Sequence, residues 1–203
     1  MEHSNLILGS TFSKFREQPK WVLNLIIWII VVVASVWLSF SFSNVTEQIT
    51  QQNPNADMDQ VKAILGPVQI ISGIVGTLFT LLFSWLIVLA IARIFKSDVR
   101  KRSIFAGTLF ALLISSLIAL VVILIQIIVG LDLIQYKITS LNIFDKGNKV
   151  LGAFDLQTFI SGYLFTLLLN KTCRLSGKVS IIFGVVFVVL SIAFSLIGAT
   201  MQP

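Results

Sequence analysis

From Val68 to Ala92 the chain carries no charged side chain, and its polar side chains are Gln69, Ser72, Thr77, Thr80 and Ser84. A second charge-free run, Ile104 to Gly130, has only Thr108, Ser115, Ser116 and Gln126. Each run exceeds the roughly 20 apolar residues that cross a hydrocarbon core about 30 Å thick. The two therefore form a helical hairpin in a bilayer. The turn between them, Phe95-Lys-Ser-Asp-Val-Arg-Lys-Arg-Ser103, sets Arg93, Lys96, Arg100, Lys101 and Arg102 against one acid, Asp98. Such excess positive charge marks the cytoplasmic side of a membrane.

Composition agrees with that frame. Of 203 residues, 56% are hydrophobic and 12% charged, which leaves too little polar surface to cover a soluble globule. The net charge of +6 comes from short clusters beside apolar runs, where topology accounts for it, so no nucleic-acid partner is expected. Cys173 is single and His3 is the only histidine, which excludes an internal disulfide and a Cys/His zinc site.

Taken in order, Met1 to Lys20 mixes Leu6, Ile7, Leu8, Phe12 and Phe15 with Lys14, Arg16 and Lys20, as suits a segment at the cytoplasmic headgroup level or a frayed terminus. Pro19 fits a first helical turn, and the first apolar run should stay attached as a span from about 21 to 42 with Trp21 at the interface. The acidic stretch from 43 to 65 should lie outside. In it, Asp57 and Gln60 resemble a capping box opening a short amphipathic helix, Gly66-Pro67 permits a bend, and Asn44-Val-Thr46 matches a glycosylation acceptor. Further spans are expected at about 68 to 94, 104 to 130, 152 to 170 and 180 to 200.

Between the third and fourth spans, Asp145-Lys-Gly-Asn148 reads as a turn, and Lys137 to Phe144 could pair with Lys149 to Phe154 as a hairpin. Asp155 reads as the N-cap of the fourth span, with Thr158 three residues on. Cys173, in the second basic turn, Asn170 to Lys178, reads as an exposed thiol, with acylation as the alternative. Gly73, Gly76 and Thr80, then Gly107, Ala111 and Ser115, then Gly184, Ser191, Ser195 and Ala199, form small-residue stripes for close helix packing. Gln126 is expected to bond a neighbouring helix. Eleven of the fifteen basic residues then lie inside: Lys14, Arg16, Lys20, Arg93, Lys96, Arg100, Lys101, Arg102, Lys171, Arg174 and Lys178. The expected fold is a single all-α domain over 1 to 203, an integral membrane bundle of five spans with its N-terminus cytoplasmic and its C-terminus outside.

Catalysis needs an activated nucleophile with its base, paired carboxylates or metal ligands. The spans hold none of these sets, and no acid at a midplane to couple ion flow, so the chain is read as neither an enzyme nor a coupled transporter, and without a cofactor.

Three stretches resemble the bacterial branch of the Yip family of five-span membrane proteins: Phe12-Ser-Lys-Phe-Arg-Glu-Gln-Pro19, Trp85-Leu-Ile-Val-Leu-Ala-Ile-Ala-Arg-Ile-Phe95, and Leu151-Gly-Ala-Phe-Asp-Leu-Gln-Thr158. The Asp-Leu-Tyr-Gly-Pro and Gly-Tyr-Gly motifs of eukaryotic members are absent, so their GTPase binding is not carried over. The resemblance implies a non-enzymatic, multi-pass protein of the cell membrane that works through other membrane proteins or by self-association. Some bacterial relatives assist an ABC-type exporter in protecting the envelope. Arg93, Lys96, Arg100, Lys101 and Arg102 are then the candidate docking residues. A passive channel or small-solute carrier is the competing reading.

Overall fold

The computed structural model of the protein describes residues 6–42, 58–133 and 135–201. It is helical throughout, with no β-strand among the described residues. The helices are α1 (Gly9–Glu17), α2 (Val22–Phe42), α3 (Met58–Ile94), α4 (Lys101–Val129), α5 (Lys149–Gly152), α6 (Leu156–Leu167) and α7 (Gly177–Met201). A π-helical turn, Leu168–Thr172, continues α6, and a 3-10 turn, Leu141–Phe144, lies in the long connection after α4. Within α2, α3, α4 and α7, the stretches Val22–Phe42, Gly66–Ile94, Lys101–Val129 and Gly177–Thr200 are long and apolar enough to cross a membrane. Their outward faces stay apolar: Ile71, Val75 and Phe79 on α3 and Ile181, Val185 and Val189 on α7 are all more than half exposed, as lipid contact requires.

Two features depart from expectation along α2 and α3. Pro19 and Lys20 precede the helix, which begins at Val22. Met58 to Ile94 is one continuous helix, with no separate surface helix before Pro67. Proline removes one backbone bond, a loss that a packed membrane helix tolerates. Here the packing is close, because a Cβ on Gly66 would stand 3.1 Å from the Phe40 ring of α2. Asp57 and Asn44 lie outside the described residues.

The expected hairpin in the connection after α4 does not form. Gly130, at φ 72°, ends α4 in the left-handed conformation, and the Leu131 N–H returns to the Gln126 carbonyl. Beyond it the chain makes the 3-10 turn and α5, and among the described residues only Ser140 and Asp155 pair, as an isolated β-bridge. Asn142 explains the compactness of this loop. Its side chain accepts from the Lys137 N–H at 2.8 Å and donates to the Gln135 carbonyl at 3.0 Å, which replaces strand pairing with side-chain bonds.

Small residues set several helix crossings. Gly162 of α6 and Gly184 of α7 meet backbone to backbone, a Cβ on Gly184 reaching 3.1 Å from the Gly162 carbonyl oxygen. Gly107 lets α4 approach Leu168 and Thr172, and Gly73 lets α3 approach Val36. Gly76 meets nothing within 4 Å and so departs from the expected packing stripe.

Two buried clusters fill the half of the bundle that carries the basic turns. One gathers Phe12, Val88, Ile91, Ala92, Ile104, Leu164 and Leu167 to Leu169. The other joins Trp28, Val31, Val32, Leu81, Leu109 and Leu113.

Candidate functional site

The basic-turn end is built on α1. Phe12 and Phe15 fall on one face of this short helix and are buried, with their rings 5.4 and 5.1 Å from that of Phe110 on α4. The segment expected at headgroup level is thus part of the core at this face. Its backbone is also bonded: Thr172 Oγ1 donates to the Phe12 carbonyl at 3.0 Å, Ser103 Oγ to that of Arg16 at 3.1 Å, and Tyr163 Oη to that of Ile7 at 2.9 Å. Trp21, expected as an interface anchor, sets its ring edge-on to Phe105 of α4 at 5.5 Å.

The two basic turns are tied together. Ser97 Oγ donates to the Cys173 carbonyl at 2.6 Å. Lys96 (φ 53°) and Arg174 (φ 59°) both hold the left-handed conformation, which costs a side chain with a Cβ about 1–2 kcal/mol. Lys96 occupies the position where helices commonly terminate this way, the Ser97 N–H returning to the Ala92 carbonyl at 2.8 Å. On this frame Arg93, Lys96, Arg100, Lys101 and Arg102 are all exposed, without an ion pair among the described residues. Cys173 is fully buried, contrary to the exposed thiol expected, because the π turn brings it into the cluster that holds Phe12, Leu169 and Leu175. Burial pushes its thiol up to about 12 from 9.0.

At the opposite end the described residues leave a hollow. A cavity of about 640 Å³ lies between α2, α3, α4 and the loop, lined by Ser35, Ser39, Gln69, Ser72, Gln126, Lys137, Thr139 and Gln157 with apolar Val36, Val122 and Ile123. A second hollow of about 300 Å³ adjoins it through Ser72, Gly73, Ala119 and Gln157 and reaches Thr80, Ser115, Ser116 and Trp28. From Gln126 to Ser116 this groove runs about 15 Å along α4, to the helix midpoint. There Trp28 Nε1 donates to Ser116 Oγ at 3.2 Å, and buried Leu81, Leu109 and Leu113 follow. Toward the basic-turn end the groove is closed among the described residues.

Asp155 caps α6 as expected, its Oδ1 accepting the Gln157 N–H at 2.9 Å. Its other oxygen lies 3.1 Å from Lys137 Nζ, an ion pair that the sequence spacing did not announce. Gln126 bonds the following loop, not a neighbouring helix: its Nε2 donates to the Tyr136 carbonyl at 2.9 Å. The reason is that the left-handed stop at Gly130 folds the chain back over the last turn of α4.

A family model described as the Yip1 domain matches residues 7–198. The chain belongs to the Yip1 family. No curated protein and no solved structure matches it. The Yip1 match begins at Ile7, so α1 falls within the family domain, as its burial requires. It also spans both basic turns and the groove.

Polar side chains of the groove were visible in the sequence one helix at a time. Their convergence was not, because it depends on how each helix is rotated in the bundle.

Proposed function

We propose that this Yip1-family protein is a non-enzymatic, multi-pass protein of a bacterial plasma membrane that acts by contact with another membrane assembly, such as an ABC-type exporter or an envelope-stress system. The observation that carries the reading is the exposed cluster Arg93, Lys96, Arg100, Lys101 and Arg102, without an ion pair among the described residues, on a turn held by the Ser97–Cys173 bond. A backbone frame already held in place presents these cations without a further backbone-ordering cost, and their shared sign favours an acidic partner surface. In this reading the basic turns face the cytoplasm, the N-terminus is inside and the C-terminus outside. The continuous helix from Leu156 through Thr172 is the remaining span. It rises about 26 Å, and a bilayer accommodates a span shorter than its core by local thinning.

The reactive groups support a role without catalysis. Cys173 is buried as a thiol, and Asp155 is engaged by the α6 N-terminus and by Lys137.

The groove favours a second reading, a passive channel. A channel needs a continuous polar path, and the groove stops at Trp28 and Ser116 against buried leucines. Affinity purification from native membranes in a mild detergent, paired with flux measured on the purified protein in liposomes, separates the two. The contact reading expects a recovered membrane partner and no flux. Flux from the protein alone, with no partner recovered, replaces it with the channel.

A further inference from the structure

Several polar side chains in the groove have hydrogen-bonding capacity that the described residues do not use. Ser39, Gln69 and Thr139 line it, and their side chains make no hydrogen bond among the described residues. Gln126 is 3% exposed and spends one amide proton on the Tyr136 carbonyl, leaving its Oε1 and second proton for another partner. Ser39, Gln69 and Gln126 lie three residues from the ends of their spans and Thr139 lies in the loop, the level at which such groups bond water or a lipid headgroup.

The shape of the groove limits the occupant. Ser72, Gly76 and Thr80 recur four residues apart on α3, line its inner part and are all exposed. Their neighbours Ile71, Val75 and Phe79 face lipid. The inner groove is therefore open sideways along α3, at the depth of acyl chains. At the loop end the walls offer donors and acceptors together, and Lys137 is already neutralised by Asp155. That chemistry suits a headgroup with both hydrogen-bond donors and phosphate oxygens more than a bare anion.

We propose that the groove binds one membrane phospholipid with a donor-bearing zwitterionic head. The head lies among Ser39, Gln69, Gln126 and Thr139, and an acyl chain leaves past Gly76. A volume of about 640 Å³ is within the range of specific small-molecule sites, roughly 300–1,000 Å³. This goes beyond partner docking, which uses the opposite end of the bundle.

Native mass spectrometry of the purified protein, and of delipidated protein offered phosphatidylethanolamine or phosphatidylglycerol, tests it. The expected result is one retained phospholipid per chain, with phosphatidylethanolamine preferred. Ala119→Phe, at the junction of the two hollows, lowers occupancy about tenfold or more at an unchanged melting temperature. Should that variant fail to fold, Gln69→Leu removes the amide at similar volume and lowers occupancy roughly two- to tenfold. Occupancy unmoved by Gln69→Leu and by a folded Ala119→Phe marks bulk annular lipid and overturns the proposal. Detergent alone in the wild-type protein, with no lipid retained or taken up, overturns it too. Because the readout uses the protein without a partner, its failure leaves the docking reading intact.

Discussion

Thr172, on the π turn that ends α6, donates its hydroxyl to the backbone carbonyl of Phe12, 160 positions earlier in the chain. The bond joins the first helix to the end of α6, where Gly107 lets α4 approach Thr172. Regular α-helical geometry would place Thr172 differently around the axis, because a π turn inserts an extra residue. The irregularity therefore has a structural consequence, the docking of α1.

Substitutions at this joint should separate packing from hydrogen bonding. Phe12→Ala removes a fully buried ring and should cost about 3–5 kcal/mol, whereas Thr172→Val keeps the shape and should cost about 1 kcal/mol. Thermal unfolding in detergent measures both. Limited proteolysis should also cut before Pro19 in the Phe12→Ala variant and spare the wild type.

Asp155 has two partners with different requirements. Asp155→Asn keeps an acceptor for the Gln157 N–H and should cost well under 1 kcal/mol, while Asp155→Ala loses the cap and should cost about 1–2 kcal/mol. Lys137→Met should be worse than Asp155→Asn, because it leaves the buried carboxylate without its cation. The order of the three melting temperatures checks the assignment.

Cys173 gives a pH dependence with a definite sign. Its thiol is raised in the fold from 9.0 to about 12 by burial, so the fold favours the protonated form. The resulting stability is complete below about pH 9 and is lost as pH rises toward 12. Cys173→Ser should flatten that part of the stability curve. At pH 8 the native protein should resist maleimide and label only after unfolding.

That silent background makes single-cysteine topology mapping direct. With the basic turns inside, cysteines replacing Lys96 or Ser176 should resist impermeant reagents in intact cells, and one replacing Asn148 should label. Labelling of the turns and protection of Asn148 would invert the orientation.

Much of the architecture is legible in residue order, because charge-free runs such as Ile104 to Gly130 and the cations of Arg93 to Arg102 report on the bilayer directly. What is not legible concerns relations between elements. Phe12 and Phe15 have the same spacing whether they meet lipid headgroups or Phe110. Gly76 shares its stripe with Gly73, yet only Gly73 faces another helix, since rotation of α3 turns Gly76 to the groove. Lys137 and Asp155 are brought together by a loop whose fold rests on Asn142 side-chain bonds, which no periodicity encodes.

The central claim is that the basic-turn face makes the functional contact, and site-specific photocrosslinking in living cells tests it most directly. A photoreactive residue replacing Arg100 should form a crosslink to one membrane partner, and the same residue replacing lipid-facing Val75 should not. Gln at Lys101 and Arg102, with membrane abundance matched, should reduce the Arg100 crosslink. An Arg100 probe that captures no protein, while Val75 captures one, would contradict the account.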